Sequence, residues 1–360
     1  MKKIKKSKIL SVITAFILIF MTALSALLFI SCGSSEKTIG VCMPKQDVDR
    51  WTEDGQNLKK QLEAKNYKVI LDYAEDNSDK QIEQIEKMID EKCDALIIAA
   101  KDCYTLNDVL EKASKKNIKI IAYDRLIMDT DYVDYYCTFD NVEVGRVQGE
   151  YIEEKFKLSE AGDPVTMEIF SGAADDSTSV ENYNGQMDVL QKYIDSGRII
   201  IKSGQTSFES TAIPDWKTEN AEARMKELLK NYGDTKLDIV LSTNDSMAKG
   251  VINALKDAGY VSGDKPFPVL TGMDGDIENI ISIINGEQSM TLFIDPRALA
   301  NRTVQLVDEL LNGKKPENIY DERNNNNKII PTSVCKGIYI DKDNYMDLVR
   351  DNYYSEEDFK

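Results

Sequence analysis

Residues 67–123 read YKVILDYAEDNSDKQIEQIEKMIDEKCDALIIAAKDCYTLNDVLEKASKKNIKIIAY. Three short apolar runs, YKVILDY (67–73), DALIIAA (94–100) and IKIIAY (118–123), alternate here with two longer polar-apolar stretches. In the first of these stretches Ile82, Ile85, Met88 and Ile89 recur at helical spacing, so they share one face. Ser78 stands where a helix cap is expected, with Gln81 three residues on. Runs this short and this continuously apolar read as strands covered on both faces, and the stretches between them read as crossover helices. The unit is βαβ, and its sheet is parallel.

The same alternation continues on both sides. KTIGVCM (38–44) precedes it as a strand, followed by a helical segment over about 51–65. Downstream, PVTMEIF (164–170), RIIIKSG (198–204), LDIVLS (237–242), FPVLTG (267–272) and SMTLF (289–293) read as strands. Helical stretches over 181–197, 218–233, 246–260, 276–287 and 296–313 lie between and after them, and ERNNNNK (322–328) reads as a polar loop. The chain is therefore two α/β halves, and 360 residues suffice for two lobes.

Charge is uneven along the chain. The first 32 residues hold five lysines and no acid; beyond them 40 basic residues face 62 acidic ones, a formal net charge of −22. That balance opposes nucleic-acid binding, which rests on neutralising phosphates. The lysine cluster Lys2, Lys3, Lys5, Lys6 and Lys8, followed by an apolar run from Ile9 to Ile30, has the form of an export signal. The run is also long enough to span a membrane as a retained anchor. FIS before Cys32 resembles the bacterial lipobox, with Phe29 where leucine is usual, so the expectation is a signal over 1–31, lipidation at Cys32 and a polar tether over 32–37. Either way the bulk of the chain lies outside the cytoplasmic membrane.

Several chemistries have no basis in the sequence. There is no histidine, which removes the commonest general base and zinc ligand. The remaining cysteines, Cys42, Cys93, Cys103, Cys137 and Cys335, are widely spaced and fit buried apolar positions, with room for one bridge, Cys93–Cys103. Dinucleotide and triphosphate loops are missing after the first strand, and so is a serine elbow. Asp341-Lys342-Asp343-Asn344 lacks the rest of a calcium loop and reads as a charged start to a C-terminal helix; neither metal nor cofactor is expected.

What remains is a set of polar and aromatic residues just after strands: Asp49-Arg50-Trp51, Asp124-Arg125, Asn244-Asp245 and Asp274. Open parallel sheets bind ligands at the carboxyl ends of their strands. One such residue is usually a solvated cap; four groups spread over both halves point to a cleft between lobes. Trp51 and Trp216 are the only tryptophans, and both lie among polar residues. They are either core packing or flat plates for the C–H faces of a sugar ring. Arginine forks and carboxylates suit its hydroxyl edge.

Eight segments in order, DRWTEDG (49–55), YAEDNSDKQIEQIEKMI (73–89), DALIIAA, IKIIAYDRLI (118–127), VDYYCTFDNVEVG (133–145), SGQTSFES (203–210), VLSTNDSMAKG (240–250) and VLTGMDGD (269–276), resemble the bacterial ABC-importer sugar-binding proteins of the xylose/galactose branch. The likeness covers nearly everything after the signal, and is strongest to the multiple-sugar-binding receptors of plant-associated bacteria. It implies the type I periplasmic-binding-protein fold: two similar doubly wound parallel-sheet lobes joined by a three-crossing hinge. The expected lobes are 38–142 plus 276–324 and 143–275 plus 325–360. The implied function is binding one monosaccharide (xylose, galactose, glucose or arabinose type) without chemistry and delivering it to an ABC permease, as a monomer. A sensor role toward a chemoreceptor or sensor kinase is the alternative. A glycoside hydrolase built on Asp124, Asp245 and Asp274 is a remote one, and a repressor is opposed by the missing basic front end.

The resemblance implies ligand roles for Arg50, Trp51, Arg125, Trp216, Asn244, Asp245 and Asp274. Asp124, Asp176, Thr178 and Asn220 join them, with Asp124 expected to hold the Arg125 guanidinium. Two departures bear on sugar preference. Ser177 and Thr178 stand where the family has asparagines, and Ile294 stands where it has a lysine.

Overall fold

The computed structural model describes residues 36–46, 49–233, 235–261 and 265–360. The export signal and Cys32 lie outside the described residues. From Thr38 onward the chain forms one compact unit.

Strands β1 (Thr38–Met43), β2 (Lys68–Tyr73), β3 (Ala95–Ile98), β4 (Lys119–Tyr123) and β5 (Tyr135–Phe139) pair in parallel in the order β5-β4-β3-β1-β2. Their crossovers include α1 (Asp49–Ala64), α2 (Ser78–Asp90) and α3 (Asn107–Lys115). Strands β1, β3 and β4 are almost wholly buried, as their unbroken apolar sequences require. On α2, Ile85, Met88 and Ile89 face the core as the periodicity predicts. The cap is Asn77, not Ser78: its side chain accepts from Lys80 N at 2.9 Å, and Ser78 begins the helix.

The second lobe begins with α4 (Asn141–Lys155). It has a parallel sheet of β6 (Val165–Phe170), β7 (Ile199–Ile200), β8 (Ile239–Ser242) and β9 (Val269–Leu270), in the order β7-β6-β8-β9. Helices α5 (Ser177–Asp195), α6 (Thr218–Leu229), α7 (Asp245–Asp257) and α8 (Ile277–Asn285) surround it. Just past β9 the chain pairs again as β10 (Met273–Asp274), which runs parallel to β11 (Met290–Phe293); β11 in turn pairs antiparallel with β14 (Ile338–Asp341). Helix α4 lies against α5 at very close range: a Cβ on Gly145 would stand 2.0 Å from Asn182 O, and one on Gly185 2.0 Å from Val142 O. Glycine at both positions lets the two backbones touch.

The chain crosses between lobes three times: from β5 into α4, from β11 into α9 (Pro296–Leu311), and from β13 (Ile329–Cys335) into β14. These crossings differ from the expected division. Residues 276–293, assigned to the first lobe, belong with the second, because β11 pairs with β10 and β14. Residues 325–335, assigned to the second, belong with the first: β13 pairs in parallel with β5, and β12 (Asp321–Asn324) closes that edge antiparallel. The stretch 322–328 is thus a hairpin whose first arm is strand. Asp341–Asn344 is a tight turn in which Asn344 Oδ1 accepts from Asp341 N at 2.7 Å. Among the described residues no cluster fit for a metal ion occurs. Cys93 and Cys103 are both free thiols, as are Cys42, Cys137 and Cys335.

Candidate functional site

Between the lobes lies a cavity lined by polar and aromatic side chains from both of them. Its first-lobe wall comes from the carboxyl ends of successive strands: Arg50 and Trp51 after β1, Asp76 after β2, Lys101 after β3, and Asp124 and Arg125 after β4. Its second-lobe wall is Asp176 and Thr178 at the start of α5, Asp215 and Trp216 before α6, Asn244 before α7, and Asp274 in β10. Nine of the eleven proposed ligand residues therefore meet in one place.

Arg50 is the electrostatic centre. Its guanidinium pairs with Asp124, reaches Asp274 Oδ1 at 3.4 Å and has Nε 3.5 Å from Asp54 Oδ2. Three carboxylates around one cation leave an excess of buried negative charge. Burial accordingly pushes the Asp54 carboxyl up to about 7, against the opposing pull of Arg50. Burial raises Asp274 as well, with Arg50 again opposing. Tyr123 donates to Asp54 from beneath.

The expected Asp124–Arg125 partnership does not form. Asp124 serves Arg50, and Arg125 turns to the opposite lobe, where its Nε lies 2.7 Å from Asp176 Oδ2 in ionic contact. Arg125 Nη1 donates to Ala100 O at 3.0 Å. Geometry explains the divergence: Asp124 has φ 61°, which throws two sequence neighbours in different directions. Positive φ recurs around the cavity, at Asp76 (62°), Asp215 (55°), Trp216 (59°) and Asp274 (107°). Such conformations cost free energy and collect at functional sites.

The two indoles are held differently. Trp51 is 5 % exposed and lies under both arginines, with the Arg50 and Arg125 guanidinium carbons 4.9 and 5.1 Å from its ring centre. It joins the core and the cavity wall at once. Trp216 donates from Nε1 to Asp176 Oδ2 at 3.2 Å. It also rests on Gly172, where a Cβ would sit 2.1 Å from the ring. Asp176 caps α5, accepting from Thr178 N at 2.9 Å and Thr178 Oγ1 at 2.8 Å. The Thr178 hydroxyl proton is thus committed to Asp176, which leaves Thr178 its acceptor capacity. Asn244 caps α7 through Oδ1 and donates from Nδ2 to Asp274 Oδ2 at 3.2 Å.

Two expected residues stand outside the cavity. Asp245 is fully buried behind it; Oδ2 accepts from Gly275 N, Asp276 N and Thr291 Oγ1, and Oδ1 from Gln288. It fixes the turn that carries Asp274. Burial, and after it the charge of Asp274, raises its carboxyl. Asn220 donates to Pro214 O at 3.0 Å and braces the turn bearing Trp216. Ile294, flagged as a departure, is 2 % exposed and does not line this cavity.

Sequence reasoning missed Lys101. Its ammonium meets Asp175 at 2.8 Å, Asp215 at 3.2 Å and Asp76 at 3.7 Å, tying the lobes together beside the cavity. Asp76 and Lys101 follow β2 and β3, so the strand-end rule that selected the others covered them too.

A periodic alternation, two lobes with three crossings and a polar cavity between them have a counterpart among known proteins. The periplasmic binding protein domain family matches residues 39–315. The multiple sugar-binding periplasmic protein SbpA of Azospirillum brasilense is 43 % identical over 330 residues, 91 % of this chain and 92 % of that one. The chain belongs to the periplasmic sugar-binding proteins of the xylose/galactose branch. The D-xylose-binding periplasmic protein of Escherichia coli is 31 % identical over 94 % of this chain and 98 % of its own. Among solved structures, an ABC transporter solute-binding protein from Clostridium phytofermentans with bound β-D-glucose superposes with a TM-score of 0.86. It shares 43 % identity and covers 90 % of this chain and 100 % of that one. Proteins of this family bind rather than catalyse, so the hydrolase alternative falls. The site agrees: Asp245 faces away from the cavity, and Arg50 holds Asp124 and Asp274 together.

Proposed function

We propose that this protein is the extracytoplasmic receptor of a sugar ABC importer, holding one neutral monosaccharide between its lobes for delivery to a membrane permease. The observation that carries the reading is the cavity wall, built from strand ends of both lobes and crossed by Arg125–Asp176 and Arg50–Asp274. Trp216 offers a ring face, and Arg50, Arg125, Asp124, Asp274 and Asn244 offer the donors and acceptors that hydroxyls need. The relatives named as multiple-sugar and D-xylose receptors, and the neighbour bound to β-D-glucose, support an aldose as ligand. Cys32 is proposed as the lipid-bearing residue of the mature N-terminus, on the strength of the lysine cluster, the apolar run and the FIS-Cys32 junction.

Calorimetry of the mature chain with xylose, galactose, glucose and arabinose tests the binding claim. At least one should bind with saturable heat, and silence across the four would sink the reading. Uptake of the radiolabelled best ligand should fall on deletion of the gene; unchanged uptake would favour the sensor role.

A further inference from the structure

Next to the cavity is a second, roomier chamber. Lys45, Arg50, Trp216, Ser246 and Asp274 line both. The two spaces therefore adjoin, and Trp216 and the 3.4 Å Arg50–Asp274 pair stand on their common boundary. Either partner can leave that pair without being stranded. Arg50 keeps Asp124, and Asp274 keeps Asn244.

The chamber lining is mainly polar, with one firmly set aromatic stretch, Tyr353 and Tyr354; Ile294 adjoins it but is almost wholly buried. The Tyr353 ring packs on Phe293 with centres 4.4 Å apart, and its hydroxyl donates to Glu53 at 2.6 Å. Tyr354 meets Tyr353 edge-on at 4.7 Å and donates to Gly275 O at 2.9 Å. Ile294, where the family resemblance calls for lysine, keeps this wall free of an ammonium group. Around the rim Lys217 pairs with Asp215 at 3.3 Å and Lys249 with Glu278, and with Lys45 and Arg50 these cations face five carboxylates, Glu53, Glu219, Asp274, Asp276 and Glu278. Fixed aromatic plates with a polar rim in which carboxylates slightly outnumber cations suit a neutral ring with C–H faces and hydroxyl edges. They do not suit a phosphate or a carboxylate.

We propose that this chamber is a second subsite, which receives a neutral glycosyl unit attached to the sugar in the main cavity. The protein then takes disaccharides and glycosides as well as free monosaccharides. The inference rests on the monosaccharide reading above. A sealed site must reject any substituent on the bound ring, whereas here a substituent can pass the Arg50–Asp274 partition into open space.

Calorimetry on the mature chain tests it, using the best of glucose, xylose, galactose and arabinose beside its β-methyl glycoside and cellobiose, xylobiose or lactose. The expected result is that one substituted form binds within about tenfold of the parent sugar. Glu219→Trp, at an exposed rim position, and Tyr354→Ala should each weaken that form at least tenfold while moving the parent less than threefold. If the parent binds and every substituted form is weaker by a thousandfold or more, the chamber is not a subsite, though the receptor reading stands. If a disaccharide binds and neither variant discriminates, its second ring lies elsewhere and the inference fails. Failure of all four parent sugars overturns the receptor reading itself.

Discussion

Replacing Arg50 with methionine removes one charge and keeps most of the side-chain stem. Three carboxylates, Asp54, Asp124 and Asp274, then face one another without the cation that holds them. Breaking a buried ion pair by removing one partner costs about 3–5 kcal/mol, because the other charge stays buried. For a lobe of this size each kcal/mol moves the melting temperature by about 2–4 °C, so the loss at pH 8 should be roughly 6–20 °C. Its pH dependence has a definite sign. A carboxyl whose folded pKa lies above the unfolded value of about 4 contributes stability that is present at low pH and lost as pH rises through the folded pKa. Asp54, pushed up to about 7, already behaves this way, and Asp274 is raised as well. Without Arg50 both should rise further, so the deficit should be small at pH 5, where protons replace the lost cation, and large at pH 8. The assay is calorimetric melting of wild type and Arg50→Met at both values without sugar. An equal deficit at pH 5 and pH 8 would mean that the loss is one of packing, and would refute the view of this cluster as excess buried charge.

Arg125→Ala should weaken the best sugar by roughly 10- to 150-fold, since a hydrogen bond from a charged group is worth about 1.5–3 kcal/mol. Arg125→Lys should not restore it, because a point charge lacks the planar fork; unchanged affinity in calorimetry would remove Arg125 from the site. Gly172→Ala puts a Cβ 2.1 Å from the Trp216 ring and should displace that plate, lowering affinity without lowering the melting temperature by more than a few degrees. Tight binding by Gly172→Ala would show that Trp216 is not needed where it stands. Lys101→Met cuts the tie to Asp76, Asp175 and Asp215 and should speed sugar release in stopped-flow fluorescence. An unchanged off-rate would mean that the tie does not hold the lobes shut. Cys32→Ser should leave an unlipidated product, and mass spectrometry finding residues 1–31 intact on the wild type would falsify the lipoprotein proposal.

The strands of the first lobe were legible because each is a compact apolar run between polar helices. The first helix of the second lobe was not. In α4, Gly145 and Gly149 interrupt the pattern, and they are there because the α5 backbone lies too close for a side chain. That is a tertiary cause with no local trace. The crossings were misplaced for a similar reason: nothing within 325–335 says that its partner is β5, some 200 residues upstream. Pro331 even argues against a central strand, yet its register places it opposite Glu322, before the β5 pairing begins at Thr332. Its missing donor therefore costs no bond to β5. The strand-end rule found Arg50, Trp51, Arg125, Asn244 and Asp274 because parallel topology alone gathers such positions. It could not tell Asn244 from Asp245, neighbours of which one faces the cavity and the other supports it from behind.

The same limit shows most clearly at Asp124 and Arg125. Adjacent opposite charges invite the inference that they neutralise each other, and the structure assigns each a different partner. Asp124 pairs with Arg50 of its own lobe, and Arg125 reaches Asp176 on the other. The consequence is functional. A pair closed within one loop would contribute equally whether the lobes were apart or together. The Arg125 contact spans the two lobes, so it favours their closed arrangement over a separated one and adds nothing to the first lobe's own fold. Hydrogen bonds to a ligand are strongest where water is excluded, and the residue that helps exclude it also lines the cavity. Asp176→Asn keeps the cap on Thr178 through an amide oxygen but removes the charge opposite Arg125 and, with it, the acceptor for Trp216 Nε1. Closure should become less favourable, and affinity should fall even for sugars that do not touch Asp176. Small-angle scattering should then need more ligand to reach the same decrease in radius of gyration. If Asp176→Asn closes at the same sugar concentration as wild type, the cross-lobe pair is a bystander and Arg125 acts on the sugar alone.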